Sequence, residues 1–139
     1  MMLAGCVGAP IESARIVPQD AATVSDRIRA AMLSLGLTPT TGQDQAITGT
    51  ATHAPAAWAA CGIVLVSRGG GEHSSRRATS VGARAASVRI TLAPAGDGTA
   101  VKVTAMFSGA YYNPETAQSF DRPCRSKGML EARLLEAAG

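Results

Sequence analysis

Ser87-Val-Arg-Ile-Thr-Leu-Ala93, Pro94-Ala-Gly-Asp-Gly98 and Thr99-Ala-Val-Lys-Val-Thr-Ala-Met-Phe-Ser108 decide the fold. In the first run Val88, Ile90 and Leu92 alternate with Ser87, Arg89 and Thr91. Such a period of two marks a half-buried strand. In the third run Val101, Val103, Ala105 and Phe107 alternate with outward Lys102 and Thr104. The proline- and glycine-rich segment between them is a turn. The three runs therefore predict an antiparallel hairpin with one apolar face that needs cover.

Helices on either side can supply that cover. Asp20 is placed to cap a helix running to about Leu35, with Val24, Ile28, Ala31, Met32 and Leu35 on one stripe. Gly36 suits the position just past its end, and Pro39 bars continuation. Ser126 is placed to cap a second helix from Lys127 to Ala138, striped by Leu130, Leu134, Leu135 and Ala138. Gln45 to Thr52 reads as a weak edge strand. Trp58 to Ser67, with the continuous run Ile63-Val64-Leu65-Val66, reads as a central strand. The prediction is an α+β domain over residues 20–139: a mainly antiparallel four-stranded sheet packed against an N-terminal and a C-terminal helix.

Composition fits that scale. The chain has 139 residues, enough for one domain with its own core. Leu, Ile, Val and Phe together make up under a fifth of it, so alanine must fill much of the interior. No apolar run approaches the 18 or so residues of a spanning helix. Net charge is +3, which is no nucleic-acid footprint. The basic excess is local: Arg68, Arg76, Arg77, Arg84 and Arg89 face only Glu72 in that stretch. It reads as a solvated loop or as a docking patch for phosphate, lipid headgroups or an acidic partner. No aromatic residues interleave it, which argues against nucleic acid.

The chain opens Met1-Met2-Leu3-Ala4-Gly5-Cys6. Leu3-Ala4-Gly5-Cys6 resembles the lipobox of bacterial lipoproteins residue for residue. Small residues before the scissile bond fit a narrow peptidase site, and the cysteine thiol takes the lipid. The resemblance implies lipidation at Cys6, with residues 1–6 the remnant of a signal whose basic and apolar parts lie upstream. Val7 is not the aspartate that retains such proteins at the inner membrane, so the periplasmic face of the outer membrane is implied. Residues 7–19, with Pro10 and Pro18, then read as a tether. With Cys6 lipidated, Cys61 and Cys124 remain as an even pair, and an oxidising periplasm would join them. The alternative is two separate buried thiols in a cytosolic protein. The element order is also similar to the helix-grip domains of small outer-membrane-assembly lipoproteins, where a sheet wraps one long helix.

No pattern of catalytic residues emerges. His53 and His73 lie outside any metal-ligand spacing. Gly69-Gly70-Gly71 matches no phosphate-binding loop, and no nucleophile elbow occurs. Glu131 and Glu136 sit five apart on a helix and diverge. No metal, cofactor or catalytic residue is expected. Trp58 reads as packing. Tyr111 and Tyr112 are adjacent on a strand, so one of them faces solvent. Arg68, Arg76, Arg77, Tyr111 and Tyr112 are the candidate contact surface. Two functions follow. One is a lipid-anchored periplasmic domain that binds or scaffolds an envelope partner without catalysis. The other is a cytosolic small-ligand protein or thiol enzyme using Cys61 or Cys124 with His53 or His73.

Overall fold

The computed structural model describes residues 11–42, 44–67 and 75–139. In chain order these form β1 (Ile11–Val17), α1 (Ala21–Ser34), β2 (Thr38–Thr41) and β3 (Ile47–Ala51). A 3-10 turn (Ala56–Trp58) leads into β4 (Ala59–Ala60), β5 (Leu65–Ser67), β6 (Ser75–Arg77) and β7 (Thr79–Ala95). Then come β8 (Gly98–Asn113), β9 (Gln118–Ser126) and α2 (Met129–Ala138). The class is α+β, as expected.

The hairpin is the spine. β7 and β8 pair antiparallel, with Val88 opposite Ala105, Ile90 opposite Val103 and Leu92 opposite Val101. The turn between them is tight: Gly96 sits at φ +60°, a left-handed conformation that glycine adopts without a Cβ clash. Alternation continues past the predicted ends, and β8 buries Val101, Val103, Ala105, Phe107 and Tyr111 in turn.

The sheet is wider than expected. It has seven strands among the described residues, not four, in the order β2-β3-β7-β8-β9-β4, with β1 also on β8. β8 is 16 residues long, so one edge carries two partners end to end. β1 pairs with Thr99 to Ala105 and β9 with Phe107 to Asn113. Residues 11–17 are therefore sheet, not tether. Their pattern hid this. Register places Ser13 and Arg15 on the core side, opposite Val103 and Val101, while Ile16 points outward. Arg15 is held there by donating from Nη1 to the Leu135 carbonyl of α2 at 3.3 Å. β3 is not an edge strand, because β2 pairs outside it. Pro39 sits on that outer strand, where a missing N–H is tolerated.

The run Ile63 to Val66 is not a central strand. Gly62 at φ +63° turns the chain away, and Leu65–Ser67 pairs only with Ser75–Arg77 in a separate two-stranded ribbon. A continuous apolar run carries no period, so it cannot say which sheet it joins.

One face of the main sheet meets both helices. Val24, Ile28 and Met32 of α1 and Leu130, Leu134, Leu135 and Ala138 of α2 share a core with Ile47, Val88, Ile90, Val101, Val103 and Phe107. Each fully buried branched or aromatic side chain contributes roughly 1.5–3 kcal/mol. Small residues let the layers close. A Cβ on Gly49 would stand 2.9 Å from the Met32 sulfur, so α1 packs directly onto the β3 backbone.

Local signals explain the helix ends. Asp20 Oδ1 accepts from the Thr23 amide at 2.9 Å. At the other end Gly36 at φ +85° allows the Leu37 amide to reach the Met32 carbonyl at 2.8 Å and the Gly36 amide to reach Leu33 at 3.2 Å, a Schellman cap. α2 begins two residues later than expected, with Gly128 as its cap. Ser126 Oγ instead accepts from the Gly128 amide at 3.0 Å and donates to Glu131 at 2.7 Å. Glu131 is thereby buried, whereas Glu136 is exposed.

The Asp20 cap predicts a pH signature. The Thr23 hydrogen bonds hold its carboxyl below the usual value of 3.8, so its contribution is present above that value and is lost as pH falls through the lowered one. Asp20→Ala should melt earlier than the parent at neutral pH. The gap should narrow in acid below the ordinary carboxylate range. Thermal melts at both pH values check this, and a gap that does not change with pH would refute the cap.

Candidate functional site

The most built region outside the core lies where β4 and β9 meet. Cys61 follows β4, Cys124 lies on β9, and their sulfurs are bonded at 2.08 Å. The bond lies over Gly109 of β8. A Cβ there would stand 3.1 Å from both sulfurs, so the glycine leaves them room. Such a bridge is more typical of an oxidising, non-cytosolic compartment.

Tyr111 locks the next turn. Its hydroxyl donates to the carbonyls of Gly62, at 2.9 Å, and of Cys61. Its ring stacks on Phe120, with centroids 5.8 Å apart, and the Arg122 guanidinium lies 5.1 Å above the far ring. Tyr111 is only 2 % exposed, so it supports this region from within and leaves the contact surface expected of it. Tyr112, opposite in direction, is 36 % exposed.

Beyond this lock the chain presents apolar side chains to solvent. Ile63 and Leu65 are each 65 % exposed. A cavity of about 420 Å³ is bounded by Ala60 to Val64 on one side and by Arg122, Pro123 and Arg125 on the other. Arg77, paired across the ribbon from Leu65, is exposed as well, as are Arg122 and Arg125. Asp121 immediately precedes Arg122 in sequence, and with Arg122 and Pro123 it lines a second depression. That depression is a trough of about 600 Å³ on the sheet face away from both helices, floored by Thr50, Ala85, Ser87, Met106 and Ser108.

Of the expected contact residues, Arg77 and Tyr112 are exposed. Arg68, Gly69-Gly70-Gly71, His73 and the lipidation candidate Cys6 lie outside the described residues, as does the side chain of Arg76. Ile63, Leu65, Arg122 and Arg125 were not expected. For Ile63 and Leu65 the signal was Gly62, which breaks the apolar run from the strand before it; Arg122 and Arg125 carried none.

Chemistry-bearing clusters are scarce. Among the described residues no group of three or more His, Cys, Asp or Glu side chains could hold a metal ion. His53 is exposed, and a thiol mechanism at Cys61 or Cys124 would first need their bond reduced. A third depression of about 410 Å³ at the start of α1 holds Ser25, Arg29 and Asp44. There Asp44 is ion-paired with Arg89, whose guanidinium holds its carboxyl below the ordinary range. Trp58 packs edge-on against Phe107 at 6.5 Å inside the core, a structural role. No helix is long and apolar enough to cross a membrane among the described residues. No protein-family model and no curated protein matches the chain.

Proposed function

We propose that this chain is a small lipid-anchored periplasmic domain that binds or scaffolds at the cell envelope and performs no catalysis. The observation that carries the reading is the Cys61–Cys124 bond. It uses two of the three cysteines and leaves Cys6, within Leu3-Ala4-Gly5-Cys6, as the remaining thiol for a lipid. An oxidising compartment supports the bond, and a lipobox cysteine supports delivery to that compartment. The sheet face away from both helices and the Ile63–Arg125 edge are surfaces on which a partner can be held.

Intact mass of the protein from its native host, taken without reductant after alkylation of free thiols, tests the reading. The expected product starts at Cys6, carries acyl mass and takes up no alkylating agent. A chain that keeps Met1, lacks lipid and alkylates at Cys61 and Cys124 overturns it.

A further inference from the structure

We infer that the edge formed by Ile63, Leu65, Arg77, Arg122 and Arg125 is a docking surface for an anionic lipid bilayer. The inference rests on the anchored reading for its setting but not for its chemistry. Three observations carry it. First, Ile63 and Leu65 are each 65 % exposed and stand two apart. In an ordinary soluble surface such aliphatic side chains occur singly. Here they are held out by a built support, with Gly62 turned at φ +63°, its carbonyl bonded by Tyr111 and Cys61 joined to Cys124.

Second, the charge around them has one dominant sign. Arg122 and Arg125 share a cavity wall with Ile63, and Arg77 pairs across from Leu65. Asp121 is the exception: it adjoins Arg122 in sequence and lines the sheet trough together with it. Aliphatic tips ringed by guanidinium groups match an interface where acyl chains meet phosphate headgroups. An acidic protein surface with an apolar centre would answer the same groups; the membrane setting of the anchored reading favours the bilayer.

Third, the chain enters the fold beside this edge. Ile11 pairs with Ala105, two residues along β8 from Phe107, the partner of Cys124. The described chain thus begins about 7 Å along the strand from the disulfide rung. Cys6 is five residues earlier, so its reach from Ile11 is at most about 18 Å. A lipid on Cys6 would bring a bilayer within range of this edge. One anchor plus one basic-apolar patch would fix the orientation of the domain.

The test uses the full chain carrying Cys6→Ser, so no lipid contributes. Cosedimentation is measured with vesicles of equal parts phosphatidylglycerol and phosphatidylcholine, and with phosphatidylcholine alone. Binding is expected to the anionic vesicles only and to weaken as salt rises. Arg122→Glu with Arg125→Glu should weaken it about ten-fold or more, and Ile63→Ser with Leu65→Ser by a similar factor. All four positions are partly or fully exposed, and thermal melts confirm that the variants fold. Equal binding to both vesicle types, or variants that bind like the parent, overturns the inference. So does capture of an acidic envelope protein through the same residues without vesicle binding. The two readings fail separately: acyl mass on Cys6 without vesicle binding leaves the anchor and removes the patch, and vesicle binding without acyl mass does the reverse.

Discussion

Replacing Gly98 with alanine is expected to cost about 3 kcal/mol or more, lowering the melting temperature by roughly 10 °C. Gly98 opens β8 just after the hairpin turn, where β1 passes alongside. A Cβ built there would lie 2.0 Å from the Val17 carbonyl oxygen, 3.0 Å from its carbon and 3.1 Å from the Pro18 Cα. All three are backbone atoms. A flexible side-chain tip could swing aside, but these can move only if the end of β1 moves. Val17 is 1 % exposed and belongs to the core, and Thr99 next door donates its hydroxyl to the Gln19 carbonyl at 2.8 Å. The clash would therefore lift β1 from β8 and open the core beneath it. Gly96→Ala in the same turn is the control. It meets nothing within 4 Å and suffers only its φ of +60°, a penalty of about 1–2 kcal/mol. Denaturant unfolding of both variants should rank Gly98→Ala clearly lower. Equal midpoints would show that β1 does not pack there as described.

The same region shows why the sequence disclosed some elements and concealed others. The β7–β8 hairpin was legible because burial on one face writes a strict period of two, and the turn residues fall between the runs. α1 was legible for the matching reason: a cap, a stripe of period 3.6 and a glycine at its end all agree. β1 was not, since exposed Arg15 takes a core-side register position at the sheet margin to reach a helix carbonyl and Ile16 faces out. Both choices invert the expected alternation, and only the long edge of β8 explains them. The ribbon was misplaced because Ile63 to Val66 is apolar throughout. Solvent-facing Ile63 and Leu65 look identical in sequence to core residues, and Gly62 just before them is the local sign that the chain turns there. The pairing of Cys61 with Cys124 followed from cysteine arithmetic once Cys6 was set aside. Its support by Tyr111 and Gly109 did not, because their contacts with Cys61 and Gly62 span 48 to 50 positions.

Removing the disulfide should be the other large effect. The bond spans a separation of 63 residues, and constraining a loop of that length in the unfolded chain is worth about 4 kcal/mol in the chain-entropy model. Much of the core is built from alanine and valine, so few other terms of that size are present. Cys61→Ala with Cys124→Ala should therefore shift the denaturant midpoint strongly. Reductant should lower the parent by a similar amount and leave the double variant unchanged. Gly109 makes the prediction specific to geometry. In the bridged protein, Gly109→Ala puts a methyl 3.1 Å from both sulfurs, an overpacking cost of about 1–3 kcal/mol. With both sulfurs gone the closest neighbour is the Cys61 Cβ position, at 3.3 Å, and the cost of Gly109→Ala should fall by about half. A double-mutant cycle thus gives a coupling on the order of 1 kcal/mol between Gly109 and the bridge. If the two changes add without coupling, the bond does not lie over β8 at that rung. If the double alanine variant is as stable as the parent, the sheet and helices hold themselves, and the bond has some other purpose than stability.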